Sequence, residues 1–137
     1  MTSNGSGGGA PFAVRYADII FAQNVCDPAG QNPKNRRVVV LTPDTELATG
    51  FPIVAAGITG TLPPVITSDY VLLPYKNPPG TRHPKTGLTK RAAVLCTWVI
   101  IVDPSDVLGR SGFAPPSSMS LIQQKAGAAA KVLGGWP

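Results

Sequence analysis

Apolar residues in this chain fall into short blocks, separated by runs rich in proline, glycine and asparagine. Five blocks have the length and β-branched content of strands. They are 16–23 (YADIIFAQ), 37–42 (RVVVLT), 51–59 (FPIVAAGIT), 69–75 (DYVLLPY) and 91–102 (RAAVLCTWVIIV). The second, third and fifth are nearly continuous apolar runs. That pattern predicts cover on both faces, from a barrel wall, a helix or another subunit. Gly57 inside the third block predicts a bulge or a close backbone approach. Residues 24–35, 43–50 and 60–68 read as turn-rich or polar connections, and 76–90 (KNPPGTRHPKTGLTK) as a long loop. Structureless loops of that length usually carry function or are disordered.

The rest of the chain changes period. DPSDVL at 103–108 predicts a short helical turn, stopped by Gly109. Ser117 or Ser118 suits a helix cap. Met119, Ile122, Ala126, Ala129 and Leu133 then recur at helical spacing, read here as a core-packing stripe. Gly127 costs that helix about 1 kcal/mol against alanine, and Gly134-Gly135 ends it. Five strands followed by a short and a long helix predict a mainly β chain with a C-terminal helix. The expected architecture is a small, partly open barrel. Residues 1–12, opening MTSNGSGGGA, read as a flexible Gly/Ser-rich tail, and 13–137 as a single barrel domain. No secretory signal or membrane-spanning apolar run is visible, which leads us to expect a cytoplasmic protein with no membrane contact.

Charge adds a class of partner. The 137 residues hold 12 Lys+Arg against 7 Asp+Glu, a net +5, yet only 14% are charged, so the chain is no disordered polyelectrolyte. The positive charge is clustered. Lys34, Arg36 and Arg37 form one group; Lys76, Arg82, Lys85, Lys90 and Arg91 form another, with no acidic residue between them. Such clusters concentrate polyanions, although a solvated basic surface has the same signature. Lys34, Arg37, Lys76, Arg82, His83, Lys85 and Lys90 are therefore the candidate contacts to a nucleic-acid backbone. His83, the one histidine, reads as a solvated loop residue or a general acid. Tyr75 and Trp98 read as core residues or base-stacking platforms. Cys26 and Cys96 lack paired spacing, so neither a zinc site nor a disulfide framework is expected, and no cofactor is called for.

Arg36 or Arg37 and Thr59 are the candidate chemistry. If the second and third strands are neighbours, a guanidinium and a hydroxyl face one pocket. That combination suits a phosphate group: planar bidentate donors plus one further hydrogen bond.

In order and spacing, YADIIFAQ, KNRRVVVL, PIVAAGIT and TGLTKRAAVLCTWVIIVD resemble the MazF/PemK toxins over roughly residues 14–125. These are small SH3-like barrel endoribonucleases of toxin–antitoxin modules, so the resemblance implies an SH3-like barrel of the MazF/PemK/CcdB kind. Arg36 stands at the arginine that opens the family's second strand, with Arg37 in place of its proline. Thr59 matches the residue ending the third strand, with Gly57 as an apparent insertion. Gly87, Leu88 and Lys90 meet the G-L-x-K pattern, but Ala92 stands where serine is usual. The Q-I-R-T-V-D pattern becomes Trp98, Val99, Ile100, Ile101, Val102 and Asp103. Arg15 and Asp18 flank Tyr16-Ala17 where the family has R-G-D. The resemblance implies metal-independent cleavage of single-stranded RNA by attack of the ribose 2′-OH. Arg36 would stabilise phosphoryl charge and Thr59 would add a hydrogen bond. It also implies a homodimer silenced by a cognate antitoxin. Two other readings stay open: a non-cutting nucleic-acid- or protein-binding module, and a toxin aimed at a protein, like the gyrase poisons built on the same barrel.

Overall fold

The computed structural model describes residues 9–75 and 81–137. Lys76, and residues 1–8 of the expected tail, lie outside the described residues. The elements are β1 (Asp18–Val25), β2 (Lys34–Val40), α1 (Asp44–Ala48), β3 (Ile53–Thr59), β4 (Tyr70–Leu72) and β5 (Ala93–Val102), then a 3₁₀ turn (Pro104–Asp106), β6 (Val107–Phe113) and α2 (Pro116–Gly134). The strands form one antiparallel sheet in the order β4-β5-β3-β2-β1-β6, which does not close. A mainly β, partly open architecture with a C-terminal helix is what the apolar blocks predicted.

Both faces of the central strands are covered, as their continuous apolar runs require. On one face, Ile19, Val39, Leu41, Val54, Ala56 and Val94 pack against Met119, Ile122, Ala126 and Ala130 of α2. On the other, Ile20, Val38, Val40, Ala55, Trp98 and Val107 form a second cluster, against which Ala10, Phe12 and Val14 also pack. Thr42, fully buried, satisfies its hydroxyl twice. It donates to Pro52 O at 2.8 Å and accepts from Val54 N at 2.8 Å, which fixes the start of β3 beside the end of β2. No helix among the described residues is long and apolar enough to cross a membrane.

Several expectations need correction. The described residues hold six strands, not five. β6 (VLGRSGF) pairs with β1 but buries only Val107, so its sequence carries almost no apolar signal. The polar connection 43–50 contains the five-residue helix α1. Neither Ser117 nor Ser118 caps α2: its N-cap is Pro115, with no side-chain bond. The α2 stripe is also rotated. Ala129 and Leu133 are exposed, and Ala130 and Gly134 take their places in the core. The cause lies beyond the helix. The chain turns at Gly135, which has φ +77°, and Trp136 folds back onto Gly134, where a Cβ would overlap its ring.

Candidate nucleic-acid interface

The site is built from the paired ends of β2 and β3. Val40 lies opposite Ala55, Val39 opposite Ala56 and Val38 opposite Gly57. Arg36 and Thr59 each lie two residues beyond the last of these pairs, on β2 and β3. Arg36, Thr59, Trp98, Tyr70 and Pro28 line one cavity of about 340 Å³. The two residues singled out from the sequence therefore share a pocket. The reason is simple antiparallel pairing of two apolar strands whose ends carry polar side chains.

Arg36 is tightly held there. Its Nε donates to Val25 O at 2.8 Å and one Nη donates to Asn32 O at 2.8 Å. Its guanidinium carbon lies 5.6 Å from the centre of the Trp98 ring. Val25 ends β1, and the connection after it, which supplies the Asn32 carbonyl, is organised by Asp27, which accepts from the Ala29 and Gln31 amides and the Asn32 side chain. These bonds, the Gln31 amide foremost, hold the Asp27 carboxyl below its ordinary range, and the Arg36 charge adds to the effect. Thr59 is engaged locally. Its hydroxyl donates to Thr61 O at 3.2 Å and accepts from Thr61 N at 3.1 Å.

Gly57 fulfils both of its expectations. The β3–β5 register shifts between Ala56 and Ile58, and a Cβ at 57 would overlap the Trp98 ring. Trp98 itself is 5% exposed, which leaves no open face for a base and places it in the core. Its indole N–H donates to Cys26 O at 3.1 Å. Tyr75 is partly buried against the α2-side core.

Beside this cavity lies a second of about 440 Å³, sharing Arg36, Ile58 and Gly60 with it. Lys34, Arg37, Lys90 and Arg91 line it with Arg36, and no acidic residue does. Arg37 points to the other face of β2 from Arg36, as strand alternation requires; it stacks on Phe21 at 5.3 Å. Arg91 was singled out from the sequence only for its charge; its place next to Lys90 was the available signal.

The remaining predicted contacts sit elsewhere. Arg82 donates to Ser111 O of β6 at 3.3 Å, and Lys85 lines a separate cavity with Arg15 and Arg110. His83 lines neither cavity that Arg36 lines. Its Nδ1 accepts from the Lys85 and Thr86 amides at 3.2 and 3.3 Å, so the ring organises its own loop. Cys26 and Cys96 are free thiols; Cys96 is buried, and desolvation raises its pKa.

No family model and no curated protein matches the chain. Solved structures do. The chain is similar to Mycobacterium tuberculosis toxin MazF-mt6 at 20% identity and a TM-score of 0.59, over 82% of this chain and 94% of that one. It is similar to MazF from Deinococcus radiodurans at 15% identity and a TM-score of 0.64, over 86% and 96%. A third match is an endoribonuclease in complex with its cognate antitoxin from a mycobacterial species, at 17% identity and a TM-score of 0.58, over 91% and 100%. The fold of this chain is therefore MazF-like.

Proposed function

We propose that this chain is a MazF-like toxin that cleaves single-stranded RNA without a metal ion. One observation carries the reading: Arg36 and Thr59 line a single cavity, and that cavity opens beside a cleft lined by Lys34, Arg37, Lys90 and Arg91 with no acid among its walls. The cleft attracts the RNA backbone, and the cavity receives one phosphate. The ribose 2′-OH gives its proton to water as its oxygen attacks phosphorus, and the departing 5′-oxygen takes a proton from water, producing a 2′,3′-cyclic phosphate and a 5′-hydroxyl end. Negative charge grows on the non-bridging oxygens of the pentavalent transition state. The Arg36 N–H groups not bonded to Val25 and Asn32 are the donors that meet it, already fixed in direction, so little reorganisation is needed during the reaction. Thr59 adds a donor by turning its O–H from the Thr61 carbonyl to the phosphate. A guanidinium offers N–H donors and no acceptor, so its contribution is electrostatic. The likeness to a toxin solved with its antitoxin supports a cognate antitoxin as partner. A homodimer and a cytoplasmic location belong to the same reading.

The test is incubation with single-stranded RNA in EDTA, beside Arg36→Ala. Cleavage by the wild type, reduced about 10²–10³-fold in the variant, is expected for the loss of one preorganised donor. Equal cleavage by both, or none by the wild type, refutes the assignment. A second reading, an RNA-binding module that does not cut, is favoured by the local bonds that already occupy Arg36 and Thr59. Salt-dependent binding that leaves the RNA whole would establish it instead.

A further inference from the structure

We propose that Trp98 is the positioning residue that holds Arg36, and that glycine at 57 is what admits it. The inference deepens the endoribonuclease reading and rests on it. An arginine at a strand end has several rotatable bonds and, unheld, a large side-chain rotamer entropy. Left free, it samples many directions, and only one suits a phosphate in the cavity. Here the guanidinium is fixed by two carbonyls and by the indole face. The same ring ties down one end of that carbonyl clamp. Its N–H bonds Cys26 O, and Cys26 follows Val25, the residue that accepts from Arg36 Nε. Trp98 thus acts on Arg36 twice, through its face and through the end of β1.

The ring needs room to do this. Its Cε3, Cδ2 and Cζ3 atoms lie against Gly57, in the space a Cβ would occupy. Gly57 also sits where the β3–β5 register shifts. Two departures from the pattern that the sequence resembles, an inserted glycine and a tryptophan in place of glutamine, are then one coupled feature: a plate and the gap that receives it. Trp98 is too buried to stack on a base, so its effect on RNA passes through Arg36.

Two variants and one spectroscopic arm test this. Trp98→Phe keeps an aromatic face and loses the N–H; Trp98→Leu loses both. With mixed-sequence single-stranded RNA in EDTA, Trp98→Phe should stay within about threefold of the wild-type kcat, and Trp98→Leu should lose roughly tenfold, with KM nearly unchanged, as the loss of a partly desolvated cation–π contact implies. In an Arg36→Ala background, Trp98→Leu should cost nothing more. Wild-type kcat in Trp98→Leu, a greater loss in Trp98→Phe than in Trp98→Leu, or an undiminished Trp98→Leu loss without Arg36, overturns the proposal. The third arm needs no cleavage. With 5-fluorotryptophan incorporated, Arg36→Ala should shift the Trp98 fluorine resonance and leave that of Trp136, in the opposite core, in place. An unmoved Trp98 resonance overturns the pairing even if Trp98→Leu fails to fold. If the wild type cuts no RNA, the endoribonuclease reading falls, and this arm alone decides whether Trp98 holds Arg36.

Discussion

Gly57, Trp98, Arg36 and Asp27 form a relay from the middle of the sheet to the rim of the cavity, and each link makes a measurable demand. Gly57→Ala inserts a methyl group where the indole lies. Overpacking of that kind costs about 1–3 kcal/mol, and urea denaturation should show a loss in this range with the slope unchanged. Asp27 sets the shape of the loop whose Asn32 carbonyl holds Arg36. Its folded pKa is lowered from 3.8. Its carboxylate therefore favours the folded loop above that pH, and the contribution fades as pH falls through the lower folded value. The Gln31 amide proton, bonded to Asp27, should report this transition in an NMR titration below pH 3.8, and Asp27→Asn should abolish it. A Gln31 resonance that titrates identically in the variant would show that another group shapes the loop.

At the scale of elements, α2 separates local from distant causes. Its periodicity announced a helix with an apolar stripe, and Met119, Ile122 and Ala126 are indeed buried. The last turn departs from that stripe because Trp136, beyond the helix, occupies the surface on Gly134. Ile122 is fully buried, whereas Leu133 is 44% exposed. Ile122→Ala should destabilise by about 2–5 kcal/mol, and Leu133→Ala by no more than about 0.5 kcal/mol. Thermal or urea unfolding of the pair decides between the two stripes. β6 is the opposite case: an edge strand with two glycines and little burial exists because β1 offers it hydrogen bonds. No local apolar pattern marks such a strand.

For the whole molecule, what matters is how the positive charge is sorted. The predicted contacts among the described residues divide into Lys34, Arg37 and Lys90, around one cleft with Arg36 and Arg91, and Arg82, His83 and Lys85 on the loop that runs along β6. Only the first group surrounds a place where a chain of phosphates could lie beside Arg36. Measured by fluorescence anisotropy in the slow-cutting Arg36→Ala background, removal of Lys34 or Arg91 should weaken single-stranded RNA binding and reduce the slope of log affinity against log salt by about 0.7 each. Lys85→Ala should leave that slope unchanged. Equal effects from both groups would place the RNA along β6 as well.

Much of this protein follows from its residues in order. Apolar runs compete for burial wherever they occur, so five of the strands, the terminal helix and the two-sided core could be read from hydrophobic spacing alone. Arg36 and Thr59 were recognisable as candidates because guanidinium and hydroxyl groups suit phosphate in any setting. Their meeting was conditional on β2 and β3 being neighbours, and only the fold met that condition. Strand neighbours, the Trp98 plate beneath Arg36, the place of Trp136 on α2 and the division of basic residues into two surfaces all arise from contacts between residues far apart in the chain. Periodicity reports whether a side chain is buried. Which side chain it is buried against is decided by backbone pairing and packing, and those come into being only when the sheet assembles.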